Sequence, residues 1–271
     1  MSVVAVIPAR YASTRFPGKA LSLLRGVPLV EHCYRQARRS KLVDRVVVAT
    51  DDARIAAAVE RAGGAGAAVL TSAACASGTD RVLECVRRMP GCELVVNLQG
   101  DEPCVRPSHI DSLVRLLQSA TGEGRRVPMA TLAVPLASAC EYRDPNAVKV
   151  VATTASASGE QGRRRALYFS RAPVPSGWDA PGSASEGLRH LGLYGFRRDF
   201  LLGEFAALPA PSPLEATERL EQLRVLEAGH SIALQVVEEV PGVTGVDTPE
   251  QLAQLEKLLA DEQVWRQVQQ Y

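Results

Sequence analysis

Two hydropathy periods alternate along the first half of the chain. Short β-branched runs at residues 3–7, 45–50, 67–70 and 94–98 are separated by stretches at 28–39, 52–62 and 78–89 where apolar residues return every three or four positions. The first pattern predicts strands and the second amphipathic helices; their alternation predicts βαβ units around a parallel sheet. The run at 94–98 is almost wholly apolar, as expected of a strand covered on both faces. Asp51 can cap the helix at 52–62, Gly63 and Gly64 end it, and Pro107 suits the first turn of a further helix.

The second half reads less regularly. Strands are expected at 130–134, 147–151, 166–170, 190–196 and 232–237. Residues 153–165 turn small, polar and basic, which predicts a surface loop or hairpin tip, and 176–187 combine Pro, Gly and Ser around Trp178 in a second loop of the kind that covers sites. Near the end, Thr248-Pro249-Glu250-Gln251 supplies an N-cap, a first-turn proline and a capping-box glutamine for a terminal helix. No internal repeat is present.

Composition narrows the classes. A chain of 271 residues with 46% hydrophobic content can build one large domain, or a domain carrying an inserted lobe. Its 31 basic and 30 acidic residues are interspersed, so no global field draws it to nucleic acid or a membrane, and any anion site must be local. The six cysteines form no C-x-x-C pair and read as buried, reduced thiols. The N-terminus lacks a basic leader, and no stretch approaches the roughly 18 apolar residues of a membrane span. A cytoplasmic protein without membrane insertion is expected.

The densest chemistry lies between the first strand and first helix. Residues 8–19, PARYASTRFPGK, place Arg10, Arg15 and Lys19 in one βα loop with Ser13, Thr14 and Gly18. Open α/β sheets bind ligands at the carboxyl ends of their strands, where backbone N–H groups and three cations suit a triphosphate. The Gly-Lys pair lacks the earlier Gly and following Ser or Thr of a Walker A loop, and no G-x-G-x-x-G occurs, which excludes the common ATPase and dinucleotide fingerprints. A solvated basic loop with no ligand is the competing reading.

The segment VIPARYASTRFPGKAL resembles the opening of the CMP-Kdo synthetases, the 3-deoxy-manno-octulosonate (Kdo) cytidylyltransferases. VVVATDD at 46–52, SGTDR at 77–81, VVNLQGDEP at 95–103, PNAVKVV at 145–151, ALYFSRAPVP at 166–175, HLGLYGFRR at 190–198, PSPLEATERLEQLRVLEAG at 211–229 and PGVTGVDTPEQL at 241–252 resemble that family in the same order. The resemblance implies a Rossmann-like nucleotidyltransferase: a mostly parallel central sheet with helices on both faces plus a smaller sugar-binding and dimerisation lobe. It implies a single domain over 1–271, with a nucleotide-binding half at about 1–130 and the lobe at about 131–232. It also implies a homodimer that joins CTP to Kdo, releasing diphosphate and leaving CMP-Kdo for lipopolysaccharide-type glycans.

Site residues follow from the same resemblance. Arg10 and Lys19 would hold the triphosphate and the developing diphosphate charge, with further contacts from Ser13 and Arg15. Gln99, whose amide both donates and accepts, would read the pyrimidine edge, and Arg81 would lie on the nucleotide side unless it is an ordinary exposed helix arginine. The acceptor pocket needs a cation and mixed donors and acceptors; Arg171, His190 and Tyr194 fit, and strand alternation would point His190 and Tyr194 the same way. Glu215 and Glu218, then Glu221 and Gln222 a turn later, lie at helical spacing, and Glu215, Glu221 and Gln222 are carried as sugar-binding candidates.

Asp101 and Asp247 are the expected magnesium ligands. Asp101 follows the 94–98 strand through Gln99-Gly100, where a glycine would let the backbone approach phosphates. Asp247 precedes Thr248, which fills the cap position better and leaves the carboxylate free. Magnesium takes one or two carboxylates besides phosphates and water, and would polarise the α-phosphate. Two rivals remain at this stage: another sugar nucleotidyltransferase such as a CMP-sialic acid synthetase, which residues 166–222 would discriminate, and a non-catalytic CTP-binding protein, against which the aspartate pair argues.

Overall fold

The computed structural model describes residues 1–12, 16–119, 121–122, 125–154, 163–179, 187–238 and 245–269. The chain divides into two compact units, Met1–Val114 with Glu239–Tyr271, and Arg115–Glu238.

The first unit is built from β1 (Val3–Ala9), α1 (Leu29–Arg38), β2 (Arg45–Thr50), α2 (Ala53–Gly63), β3 (Ala68–Leu70), α3 (Gly78–Arg87), β4 (Leu94–Leu98) and the start of α4 (Pro107–Ser119). β1 runs parallel to β2 on one side and to β4 on the other, and β2 runs parallel to β3. The chain therefore moves outward from β1 to β3 and then returns across β1 to β4. Such a reversal opens a crevice at the carboxyl ends of the two strands that flank it. Every residue of β4 is buried, in keeping with its apolar run, and its one polar member, Asn97, donates to Thr79 Oγ1 at 3.0 Å. Helix α2 starts one residue later than expected: Asp52, not Asp51, accepts the Arg54 N–H, because the Asp51 carboxylate is engaged by Arg81 at 3.1 Å.

The second unit contains β5 (Met129–Pro135), α5 (Ala139–Arg143), β6 (Lys149–Ala152), β7 (Arg163–Ser170), β8 (Leu188–Arg197), α6 (Pro213–Glu218), α7 (Leu223–Glu227) and β9 (Ile232–Val236). β5 is antiparallel to β8 and parallel to β9, while β7 is antiparallel to β9 and to β6. Lys149 of β6 also pairs with Arg189 of β8, so the first and last strands of the order β6-β7-β9-β5-β8 meet. β7 begins within the stretch expected to be a loop: Arg163, Arg164 and Arg165 pair with Gln235, Leu234 and Ala233. A ladder is made by backbone groups, so a basic run can join it when its side chains reach solvent. Residues 155–162 and 180–186 of the two expected loops lie outside the described residues.

The chain then returns to the first unit as α8 (Pro249–Leu259) and α9 (Glu262–Gln269). Leu255 and Leu259 of α8 and Val268 of α9 join Leu24, Leu29, Cys104 and Val246 in one buried cluster, against which Phe16 and Trp265 pack. Arg25 stacks over Trp265 at 4.9 Å and pairs with Glu262 at 2.6 Å, fastening the returning helices. All six cysteines are free; Cys33, Cys85 and Cys104 are buried, whereas Cys140 is exposed. Among the described residues no helix is long and apolar enough to cross a membrane.

Candidate functional site

A cleft of about 280 Å³ opens where β1 and β4 end, lined by Pro8, Ala9, Arg10, Lys19, Ser77, Gly78, Arg81, Gln99, Gly100, Asp101 and Asp247 among others. It lies at the crevice that the strand order creates. The loop after β1 folds back on itself: Gly18 donates its N–H to Tyr11 O at 2.9 Å and adopts φ +73°, a conformation natural to glycine. Arg54 lies over the Tyr11 ring at 3.7 Å, and Lys19 starts the 3₁₀ turn that follows. Ser13 and Arg15 lie outside the described residues.

Lys19 brings the two aspartates together. Its Nζ donates to Asp101 Oδ2 at 2.8 Å and to Asp247 Oδ1 at 3.1 Å. Desolvation works against the ammonium, but the attraction of Asp101 and then Asp247 outweighs it and holds the Lys19 pKa above its ordinary value. The convergence has local causes. Val246 donates its N–H to Asp101 O at 2.8 Å, joining the two segments one residue before Asp247. Thr248 caps α8, and Gln251 Oε1 accepts the N–H groups of both Thr248 and Asp247, so the helix start is satisfied without the Asp247 carboxylate.

Gly100 lines the cleft as expected and meets a second demand as well. A Cβ there would stand 2.9 Å from the Pro8 carbonyl oxygen, so the protein's own β1 backbone demands the glycine.

Arg81 is 3% exposed, which excludes an ordinary surface arginine. Its guanidinium donates to Thr71 Oγ1 at 2.6 Å and to Asp51 Oδ2 at 3.1 Å. The helix that carries it begins with a complete capping box, Ser77 with Asp80. The helix begins at Gly78, where the apolar periodicity placed it, and the S-x-x-D signature in the sequence accounts for that start.

The acceptor candidates cluster in the second unit. His190 and Tyr194 have ring centroids 5.3 Å apart, and Tyr194 Oη donates to Gln222 Oε1 at 3.0 Å. The β8 register passes from Leu191↔Leu132 to Tyr194↔Thr131, so simple alternation does not hold between His190 and Tyr194 although their rings meet. His190 Nε2 lies 2.9 Å from Thr131 Oγ1, whose hydroxyl donates to Leu193 O at 2.7 Å. With that proton committed, the imidazole donates from Nε2 and keeps Nδ1 as an acceptor. Burial, with Arg189 nearby, lowers the His190 pKa to about 3, so the ring is neutral. Burial and then Glu221 push the Tyr194 phenol up, with Arg171 opposing.

Arg171 donates from Nε to Glu218 O and from Nη1 to Pro145 O, each at 2.9 Å. Glu215 is occupied elsewhere. Its carboxylate completes the Ser212 capping box and receives Arg224 Nε at 2.9 Å and Nη2 at 2.5 Å. Sequence reasoning missed Thr131 and the full reach of Glu218. A lone threonine inside the apolar run 130–134 was the available signal for the first.

A family model described as cytidylyltransferase matches residues 4–232. The 3-deoxy-manno-octulosonate cytidylyltransferase of Syntrophobacter fumaroxidans is 48% identical, covering 97% of this chain and 99% of its own length. That of Geobacter sulfurreducens is 45% identical, covering 95% and 100%. The solved structure of a CMP:2-keto-3-deoxy-manno-octonic acid synthetase complexed with CTP superposes with a TM-score of 0.84 at 38% identity, covering 97% of this chain and 100% of that one. The 4-diphosphocytidyl-2C-methyl-D-erythritol synthase of Anaerococcus prevotii, at 13% identity and a TM-score of 0.60 over 96% of each chain, shares the fold.

Proposed function

The chain belongs to the cytidylyltransferase family, and on that premise we propose that it transfers the cytidylyl group of CTP to Kdo, giving CMP-Kdo and diphosphate. The anomeric hydroxyl of Kdo attacks the α-phosphorus, the bond to the β-phosphate oxygen breaks, and diphosphate leaves. The carrying observation is the meeting of Lys19, Asp101 and Asp247 in a cleft at the strand switch point. Similarity to Kdo cytidylyltransferases over nearly the whole chain supports the acceptor.

Reactions of this type depend on positioning and charge neutralisation. Arg10 and Lys19 neutralise the triphosphate and the leaving diphosphate, aided by Ser13 and Arg15. Gln99 faces the same cleft and reads the pyrimidine, while Arg81, anchored on Asp51 and Thr71, forms part of the nucleotide wall. Arg171 supplies the cation for the acceptor carboxylate. Neutral His190 accepts a hydrogen bond from a sugar hydroxyl at Nδ1, and Tyr194, Gln222 and Glu221 complete the polar lining.

Asp101 and Asp247 would hold Mg²⁺. Their oxygens already bracket a cation, the Lys19 ammonium, and two hard carboxylate ligands suffice for an ion that takes its remaining ligands from phosphates and water. Bound there, the ion would neutralise triphosphate charge and lower the pKa of the attacking hydroxyl. The reading includes a cytoplasmic homodimer, supported by the resemblance.

Diphosphate release across a matrix of CTP, UTP, ATP and GTP against Kdo and sialic acid tests the assignment. The expected result is turnover confined to CTP with Kdo; equal rates with ATP, or with sialic acid, would overturn it.

A further inference from the structure

Lys149 is fully buried at the start of β6, paired in the ladder with Ser170 of β7 and Arg189 of β8. Among the described residues its ammonium donates to two backbone carbonyls, Asp144 O at 2.7 Å and Arg171 O at 2.9 Å. A buried ammonium is costly, and burial lowers the Lys149 pKa, with Asp144 opposing. An apolar side chain of similar length would fill the same space without that cost. What the ammonium adds is a hold on the carbonyls of Asp144 and Arg171.

Glu218 at the end of α6 grips the same residue from the other side. Its Oε2 accepts the Arg171 N–H at 2.9 Å, and its backbone carbonyl accepts Arg171 Nε at 2.9 Å. Its other carboxylate oxygen accepts Ser170 Oγ at 2.6 Å, fixing the carboxylate itself. Arg171 is thus held at its N–H, its carbonyl, Nε and Nη1, and Nη2 has no partner among the described residues.

We propose that Lys149 and Glu218 clamp the backbone of Arg171 so that the Nη2 edge of its guanidinium is presented to the acceptor carboxylate, which makes Lys149 a positioning residue for acceptor binding. The inference rests on the acceptor role given to Arg171 above. Lys149 touches no substrate in this scheme and acts only through Arg171.

That dependence is the test. Steady-state kinetics on the full chain compare Lys149→Met, Arg171→Ala and the double variant. Lys149→Met should raise the KM for Kdo roughly tenfold, the factor one charge-assisted hydrogen bond is worth, with the KM for CTP within about twofold of wild type. The double variant should match Arg171→Ala alone, because a residue that acts through Arg171 has nothing left to position. An equal further loss in the Arg171→Ala background, a parallel loss of CTP affinity, or no change in the KM for Kdo would each overturn the clamp. If Arg171→Ala itself binds Kdo normally, the acceptor assignment falls and the clamp falls with it. Should Lys149→Met fail to accumulate as folded protein, Glu218→Gln reads the same coupling from the opposite side, since it turns an amide N–H₂ or a weaker acceptor toward the Arg171 N–H.

Discussion

In the cleft of the first unit, Lys19, Asp101 and Asp247 retain 15%, 30% and 37% of their side-chain exposure, so their ion pairs stand open to the cleft. In the second unit, His190 and Gln222 keep only 7% and 2%; Thr131 and Tyr194 engage His190 Nε2 and Gln222 Oε1, while the buried Gln222 Nε2 has no hydrogen-bond partner among the described residues. One region sets one ammonium between two carboxylates until an anion and a cation arrive. The other is a polar lining whose protonation and direction are set in advance by Thr131, Glu218 and Lys149. The contrast teaches that mutations in the first region should change chemistry with little change in stability, whereas in the second the two should move together.

The largest effect should break the first region alone. Asp101→Asn and Asp247→Asn should each lower kcat on the order of 10³-fold while the folded signal by circular dichroism is kept, and EDTA should reproduce the loss in wild type. Lys19→Ala should cost on the order of 10²-fold in kcat with a smaller change in the KM for CTP, because its charge matches the departing diphosphate. Turnover unchanged by chelator would remove the aspartate pair from the mechanism.

A second variant probes the other side of the comparison. Glu215→Ala leaves Arg224, whose side chain is 6% exposed, without its carboxylate, and removes half of a capping box. Breaking a largely buried pair costs about 3 kcal/mol, which urea melts should detect whether or not Kdo is present. A normal melting midpoint combined with lost Kdo binding would return Glu215 to the acceptor site.

The smallest effect concerns His190. Its folded pKa of about 3 lies below the ordinary 6.5, so between those values the unfolded chain takes up a proton that the folded chain refuses. This contribution to stability is complete above pH 6.5 and is lost as pH falls toward 3. Between pH 7 and pH 5 wild type should lose about 2 kcal/mol more than His190→Gln, measured by urea unfolding. Identical pH dependence in the two proteins would mean that the ring is not held neutral.

Much of this contrast was legible before any coordinates. The terminal cap at Thr248 and the basic βα loop are local signals, and local signals survive folding; the aspartate pair, 146 positions apart, was expected together from ligand chemistry. Other meetings between groups far apart along the chain could not be read. Asp51 looked like a cap and is instead the counter-ion of Arg81, which leaves the cap to Asp52. Gly100 was read only as room for phosphate, and the demand of the Pro8 carbonyl on the same position was not visible. His190 and Tyr194 were expected together through alternation; they meet across an irregular register that no period of two describes. Glu215, placed by helical spacing beside Gln222, is drawn away by Arg224.

The first unit is discontinuous, closed by residues that follow the whole of the second. On a ribosome the chain is made in one direction and domains tend to fold as they emerge. The strands β1 to β4 are therefore synthesised long before Val246, Leu255, Leu259 and Val268 can cover Leu24, Leu29 and Cys104. Until then that apolar surface stands open and Lys19 has only Asp101. The nucleotide cleft is thus among the last features of the molecule to mature, and a nascent chain cannot hold its full set of charges until the second unit has already left the ribosome.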